Sequence, residues 1–163
     1  MGKVLNTFTN GFPGAVSRAA DDIVTAMPNR EESAALGYGV PVVLDSAKKG
    51  VKLFTPSSAA ADLVGLTVRS GSKTPDAYGS SVSEYAPGEM ADVLVRGSTV
   101  VHLEAGTAAP GGSLYVRKAT GKLVAGAEGT GGADTVELSH IRFRTAKDVN
   151  NNAEVVILER NLQ

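Results

Sequence analysis

The chain of 163 residues carries 16 basic and 17 acidic side chains, which gives a formal net charge of −1, and only 5% of its residues are aromatic. Because it lacks a positive field to attract phosphates and aromatic rings on which bases stack, the composition argues against a nucleic-acid partner. The absence of cysteine removes disulfide, thiolate and zinc–cysteine chemistry. A chain of this length suits one domain that folds without a cofactor or cross-link.

The hydropathy pattern gives no sign of a membrane partner or an export signal. No apolar run approaches the ~18 residues that a membrane-spanning helix needs. The first residues, MGKVLNTFTNGF, lack the continuous apolar segment of a secretory signal peptide. We therefore expect synthesis in a cytosol.

The first 35 residues differ in pattern from the rest, and we call residues 1–35 the arm. Apolar residues recur at helical spacing between Ala20 and Met27, and Pro28 would end a helix there. The same stretch fits an extended arm with a strand at residues 22–27. We favour the extended form because the remainder of the chain is rich in β-forming residues.

Residues 36–163, which we call the body, alternate short β-rich runs with turn-forming residues at roughly the 8–12-residue spacing of a β-sandwich or barrel. We predict an all-β fold, a compact antiparallel β-barrel or β-sandwich with an extended N-terminal arm. Barrel and sandwich stay open because both use the same strands and turns. The predicted strands are residues 40–45, 51–54, 64–69, 92–96, 99–104, 113–118, 122–125, 136–144 and 153–159.

Two connections have the composition of hairpin turns. The five-residue segment SAKKG ends in Gly50, which we expect to take a positive φ. Gly97 and Ser98 form a two-residue spacer between apolar runs, so we predict a tight hairpin there. Near the C-terminus, the alternation in SHIRFRT places Ile141 and Phe143 on one face of a strand and the intervening polar residues on the other.

A search for catalytic or metal-binding groups finds few candidates. The two histidines, His102 and His140, each lie on a predicted strand and read as ordinary strand side chains. Asp21 and Asp22 are adjacent, but no calcium-loop ligand series follows them. The glycine-rich stretches match neither a phosphate-binding nor a dinucleotide-binding motif. We therefore expect no catalytic residue, no metal and no cofactor.

The ordered pattern GFPGAVSR, DDIV, NREE, GVPVVLD, GLTVR, SKTPDAYG, YAPGEMADVLVRGS, GGSLYVRK and AEVVILERN resembles the structural cement proteins of tailed bacteriophages, which decorate capsids. The resemblance runs from about Gly11 to Asn161. It implies a non-enzymatic virion protein with a β-barrel or β-sandwich body, bound in many copies to the outer capsid surface. The implied partners are the major capsid protein and copies of itself, as a dimer or trimer, after synthesis in the bacterial host cytoplasm.

Within this resemblance, the arm would reach a neighbouring copy or a shell subunit. Phe12 would be an apolar anchor and Arg18 a charged one, with NREE supplying acidic contacts, while Arg142 and Arg144 share a face that could grip an acidic partner. The alternative is an arm folded back on its own body. The expected partner-binding residues are Phe12, Pro13, Arg18, Asp21, Asp22, Arg30, Glu31, Arg142 and Arg144.

A second hypothesis is a phage tail or host-surface module that binds a glycan or receptor, because β-sandwich loops host many functions. Exposed aromatic residues clustered at one end would favour it, and Tyr78 and Tyr85 lie near a long polar loop and could form such a patch. An enzyme on the same fold would need a pocket with perturbed ionisable groups.

Overall fold

The computed structural model describes residues 9–45, 47, 49–69, 84–125 and 134–159. Ten strands and one short 3-10 helix, η1 (Ala60–Asp62), make up the regular structure of these residues. The strands are β1 (Val16–Pro28), β2 (Pro41–Asp45), β3 (Gly50–Leu53), β4 (Leu63–Thr67), β5 (Met90–His102), β6 (Ala105–Gly106), β7 (Ser113–Arg117), β8 (Leu123–Ala125), β9 (Thr135–Phe143) and β10 (Asn152–Ile157).

All ten strands belong to one sheet with the order β3-β2-β4-β5-β10-β9-β7-β8-β6, and β1 pairs with β5 off this path. The end strands β3 and β6 do not pair with each other in the described residues, so the sheet is open and sandwich-like rather than a closed barrel. Every pairing between two of these strands is antiparallel except β6 with β8, which is parallel; an isolated parallel bridge also joins Asn29 to Val51 of β3. The predicted all-β fold is confirmed, with one parallel pairing as a correction to the antiparallel expectation.

The sheet curls around a large apolar cluster. Side chains from its two halves meet there, including Leu63, Leu66 and Leu94 from one half and Leu114, Leu138 and Ile141 from the other. A smaller cluster lies on the opposite face of β2, β4 and β5, where Leu36 and Tyr85 cover Val42, Val93 and their neighbours. Burial on both faces explains why these strands are nearly continuous apolar runs.

The predicted hairpin at Gly97 and Ser98 is wrong, because these residues lie inside the single strand β5. Gly97 has a φ of 116° and forms an irregularity in the strand rather than a turn. Val93 and Val95 pack into the smaller cluster, whereas Val101 packs into the larger one. In a regular strand, the side chains of odd-numbered residues all point to the same face. Because Val93 and Val101 point to different clusters, the irregularity at Gly97 turns the second half of β5 over relative to the first half.

The arm is extended in its central part, where residues 16–28 form β1 and pair antiparallel with β5. Arg18 lies opposite Ser98 and Ile23 lies opposite Arg96, so residues 19–22 of β1 stand against Gly97 alone. The adjacent β-branched residues Ile23, Val24 and Thr25 favour a strand over a helix at this point. The division into arm and body at residue 35 stays a prediction.

The turn between β2 and β3 also differs in detail from the prediction. Lys49, not Gly50, has the positive φ, at 51°. Gly50 is required for a different reason, because an added Cβ would collide with the Pro28 carbonyl oxygen of the arm. In contrast, the predicted alternation in β9 is confirmed, since Ile141 and Phe143 are buried and Arg144 is exposed.

The replacement Gly97→Ala should lower the free energy of unfolding by about 2–5 kcal/mol. A positive φ costs an L-residue about 1–2 kcal/mol, and the added methyl group would meet the carboxylate of Asp22, a clash that costs about 1–3 kcal/mol. Urea unfolding measures the change. Gly88→Ala is the matched control, because Gly88 has a φ of 80° with no atom near its missing Cβ. Equal losses in the two variants would contradict the role given to the Asp22 contact.

Candidate partner-binding surface of the arm

Residues 10 and 11, which we call the base of the arm, are joined by hydrogen bonds to the turn formed by residues 146–152. The backbone N–H of Asn10 donates to Asp148 Oδ2 at 2.8 Å, and Asn10 Nδ2 donates to the Asn152 carbonyl at 2.7 Å. In return, Asn152 Nδ2 donates to the carbonyl of Gly11 at 2.8 Å. These bonds join the two ends of the described chain.

A second set of backbone bonds holds the next residues of the arm. The N–H of Gly14 donates to the Val100 carbonyl at 2.8 Å, and the N–H of Val100 donates to the Ala15 carbonyl at 3.0 Å. Gly14 has a φ of 77°, and an added Cβ would lie 2.6 Å from the Cβ of Tyr38. Glycine is therefore required both for the backbone conformation and for the close approach.

Phe12 stands out from this fastened segment as an exposed aromatic residue. The residue is 66% exposed, while its carbonyl accepts a 3.0 Å bond from the N–H of Ala15 that closes the turn. The guanidinium of Arg69 lies 5.5 Å from the centroid of the Phe12 ring and 5.0 Å from that of Tyr38. Arg69 Nε also donates to the Pro13 carbonyl at 3.2 Å. The ring is thus held in place yet largely open to a partner.

Arg18 ties β1 to β10. Its Nε donates to Glu154 Oε1 at 2.9 Å, and Ser17 Oγ donates to the same oxygen at 2.9 Å. Arg144 adds its positive charge near this carboxylate. Burial alone would raise the pKa of Glu154, but the hydrogen bonds from Arg18 and Ser17 outweigh it and lower the pKa below its usual value.

The pKa of Asp148, which bonds to the base of the arm, is lowered in the same way as that of Glu154. Burial would raise the pKa of this carboxyl, but backbone N–H groups of Asn10, Asn152 and Asn150 donate to it and lower the pKa overall. The charged form is therefore the one that fastens the arm. Both Asp148 and Glu154 hold the arm as carboxylates.

Asp21 and Asp22 separate into two different roles. Asp21 is exposed and pairs with Arg96, whose NH2 lies 3.1 Å from Asp21 Oδ2. Asp22 turns inward, where its Oδ1 accepts a 3.1 Å bond from the N–H of Ser98. Across the described ranges, no group of three or more His, Asp or Glu side chains could hold a metal ion.

Arg30 and Glu31 lie against β3 rather than projecting as a pair. The N–H of Arg30 donates to the Val51 carbonyl at 2.8 Å, and Glu31 Oε1 accepts a 2.9 Å bond from the N–H of Leu53. The buried side chain of Asn29 braces this segment by donating to the Tyr85 carbonyl at 2.9 Å. The acidic segment NREE therefore makes contacts within its own chain.

Arg142 lies on the outer face of β9, and Arg144 directly follows the last residue of this strand. Arg142 NH1 donates to Ser113 Oγ at 2.7 Å and lies 3.5 Å from Glu137 Oε1. Arg144 is exposed, and its N–H donates to the Glu154 carbonyl at 2.8 Å. Arg18 and Arg144 thus approach the same residue, Glu154, whereas Arg142 is engaged farther along the strand.

The sequence reasoning missed the apolar character of the arm's outer surface. Of the large apolar side chains that are exposed in the described residues, most lie on the arm or at the end of β5 that pairs with it. They are Phe12, Val16, Ile23, Val24 and Met90, with Val149 and Leu158 elsewhere. The signal was present in the run from Ile23 to Met27, but periodicity alone does not show which side is covered. Exposed apolar residues concentrated in one segment make that segment a candidate interaction surface.

The aromatic patch expected for glycan binding is not supported at Tyr85. This residue is only 1% exposed, and its hydroxyl donates to the Val68 carbonyl at 2.6 Å. Its ring packs edge-on against Tyr38, with centroids 5.4 Å apart. Tyr78 lies outside the described residues.

A cavity of about 380 Å³ is bordered by Tyr38, Phe54, His102, Lys122 and Asn151, among others. His102 approaches the amide of Asn152 at 3.3 Å, whereas burial lowers the pKa of His140 on β9. The two histidines therefore lie in different environments.

In the described part of the chain, no helix is long and apolar enough to cross a membrane.

Compared with protein families, the chain matches the family described as structural cement protein (E217 gp24/Pam3 gp6) over residues 3–159. The chain belongs to this phage cement family. No curated protein sequence matches it. Among solved structures, a chain from the capsid of Myoviridae phage XM1 has a TM-score of 0.71 at 18% identity, covering 97% of this chain and 96% of that one.

The family match confirms the resemblance found in the sequence and gives the chain a structural role in a phage virion. The XM1 capsid chain confirms the fold over nearly the full length of both chains. At so low an identity, the shared all-β architecture is what the two sequences retain. Membership of this family supports a virion structural role for the chain as a whole.

The replacement Asp148→Asn should loosen the arm and flatten the acid dependence of stability. The depressed pKa values of Asp148 and Glu154 contribute stability above the unfolded-state values near ~4, and this stability is lost as pH falls through the folded-state values. The variant should lose about 1–3 kcal/mol at pH 7 and show a smaller further loss towards pH 3.

Urea unfolding at a series of pH values measures this prediction. Glu137→Gln removes an exposed carboxylate outside the arm contacts and serves as the control at pH 7, where it should leave stability nearly unchanged. If Asp148→Asn matched the wild type at pH 7 and followed the same acid profile, the fastening role of Asp148 would be disproved.

Proposed function

We propose that this protein is a capsid decoration protein that binds the outer surface of the phage shell and cements neighbouring major capsid protein subunits against internal DNA pressure. The observation that carries this proposal is the match to the structural cement family over residues 3–159. The major capsid protein and further copies of the chain are its partners. After synthesis in the host cytoplasm, the protein joins the outer surface of the particle.

The mechanism is mechanical and thermodynamic, without an enzymatic step. A ligand that binds only the intact state stabilises it by about 2.7 kcal/mol per site when present at 100 times its dissociation constant. Repetition over a lattice adds these increments, and multivalency permits each single contact to be weak. The net charge of −1 means that apolar and short-range polar contacts, rather than a long-range field, supply the affinity.

The arm supplies the contact surface in this proposal. Its inner side lies on β5 and on the turn of residues 146–152, while its outer side presents Phe12 and the exposed apolar residues of β1. Folding on its own body and binding a neighbour are then compatible, because they use opposite sides. The described part of the arm, residues 9–35, acts as the contact unit, and its bonds to β5 and to the turn of residues 146–152 hold it in a fixed direction.

Phe12 is the anchor for the shell in this arrangement. Rigid aromatic residues at the centre of an interface often dominate its binding energy. Phe12 is held rigid by the guanidinium of Arg69 over its ring and by the hydrogen-bonded turn that its carbonyl closes. The exposed guanidinium of Arg18 and the carboxylate of Asp21 form polar contacts at its margin. Pro13 fixes the path of the turn that carries the ring.

The replacement Phe12→Ala should weaken binding to purified empty shells by about 2 kcal/mol or more, roughly 30-fold in Kd. Its effect on folding should be small, because an exposed cation–π contact is worth about 0.5–1 kcal/mol. Co-sedimentation with shells lacking the protein measures binding. Leu158→Ala removes another exposed apolar side chain, 52% accessible and outside the arm, and should bind as the wild type does. Equal binding by both variants would contradict the anchor role of Phe12.

A further inference from the structure

The base of the arm contains a chemically labile pair of residues, Asn10 followed directly by Gly11. Asparagine before glycine is especially prone to deamidation, because glycine has no Cβ to hinder attack by its backbone nitrogen on the preceding side chain. Every other asparagine in the chain precedes a residue that carries a Cβ. The most reactive amide of the sequence therefore lies in the segment that fastens the arm.

The side-chain amide of Asn10 makes two of the bonds that hold this base. Its Nδ2 donates to the carbonyl oxygen of Ala146 at 2.9 Å and to that of Asn152 at 2.7 Å. Both partners are acceptors, so only a group that donates hydrogen bonds fits between them. The chemical state of this amide therefore decides whether the base stays fastened.

Deamidation would replace this donor by an acceptor. The backbone nitrogen of Gly11 attacks Asn10 Cγ, a C–N bond forms, and the Cγ–Nδ2 bond breaks with loss of ammonia, which takes up the proton of the Gly11 N–H. Water then opens the resulting succinimide at either of its carbonyls and leaves aspartate or isoaspartate at residue 10. The new carboxylate only accepts hydrogen bonds, and it would lie among two carbonyl oxygens and the carboxylate of Asp148.

The surroundings of Gly11 leave room for the succinimide ring. An added Cβ at Gly11 would meet Val100 Cγ2 at 3.9 Å, an ordinary contact distance. Among the described residues, Gly11 accepts a bond at its carbonyl oxygen, and none accepts one from its N–H, the attacking group. Asn10 and Gly11 are both half-buried, so water reaches the site.

The bonds of the base also restrain the reaction. Those from Nδ2 hold the leaving group, and the backbone N–H of Asn10 donates to Asp148 Oδ2 at 2.8 Å. Attack on Cγ needs the side chain to leave these partners, so the base must open first. A slow reaction of a briefly opened state follows the population of that state. The rate of deamidation should therefore rise when the fastening is weakened.

We propose that Asn10 is a deamidation site at which spontaneous conversion to aspartate or isoaspartate irreversibly unfastens the base of the arm. The reaction uses water and needs no enzyme. Phe12 follows closely in the sequence, so the change loosens the segment that leads into its turn. The inference does not rest on the proposed function, and its tests use the isolated protein without shells.

Mass spectrometry of peptides from protein stored at mildly alkaline pH tests the site. The wild type should gain the mass difference between an amide and a carboxylic acid at residue 10, with aspartate and isoaspartate forms separated by chromatography. Asp148→Asn should react at least about fivefold faster, because the net loss of one hydrogen bond raises the opened population by about that factor. Glu137→Gln removes an exposed carboxylate outside the arm contacts and should react at the wild-type rate.

Two results would overturn the proposal. One is a residue 10 that stays unchanged in both the wild type and Asp148→Asn, at the same pH and over the time in which the chain unfolded in guanidinium chloride reacts. The other is an equal rate of reaction in the wild type and in Asp148→Asn, since the base would then exert no control.

The variant Asn10→Asp carries the aspartate product and tests its effect on the fold. Its midpoint of urea unfolding should lie below that of the wild type, because a carboxylate replaces the donor between two carbonyl oxygens. Asn150→Asp is the matched control, since it adds the same charge to the same turn at an exposed residue whose bond to Asp148 uses its backbone N–H. Its midpoint should stay close to that of the wild type. A wild-type midpoint for Asn10→Asp, or an equal loss in both variants, would contradict the unfastening.

Discussion

The reversal of faces in strand β5 at Gly97 is the constraint on which the rest of the structure depends. Strand β5 pairs with β1 along most of its length, with β4 in its first half and with β10 in its second half, so its two halves have different neighbouring strands. The positive φ of Gly97 sends Val93 to one apolar cluster and Val101 to the other. Without this reversal, one half of the strand would expose its apolar face to solvent.

The same point organises the arm. Asp22 packs against Gly97 and accepts the N–H of Ser98, so the irregularities of the two strands lie opposite each other. Farther towards the N-terminus, Asn10 and Asp148 join segments 138 positions apart in the sequence. Residues 9–35 are therefore an integral part of the folded chain, because contacts within one chain set their orientation. A rigid contact segment loses less conformational entropy on binding than a flexible one.

Most strands of the body could be predicted because each has a clear apolar pattern between turn residues, as Ile141 and Phe143 in β9 show. Strand β6 was missed, because its two residues, Ala105 and Gly106, are too few to form a pattern. The Gly97 prediction failed because a glycine with positive φ has the same local sequence in a hairpin as in a strand irregularity. The arm was ambiguous because its apolar spacing suits helix and strand alike. Long-range bonds such as Asn10 to Asp148 leave no local signature, and the burial of Tyr85 depends on packing against Leu36 and Val93. The family, however, was recognisable from the order of the motifs.

The copy number of this polypeptide relative to the major shell protein, measured in purified particles, tests the central claim most directly. A decoration protein that cements a lattice must cover it, because the stabilisation is a sum over many sites. The account predicts a ratio near one or a simple fraction of one. A handful of copies per particle, or complete absence from the particle, would contradict it.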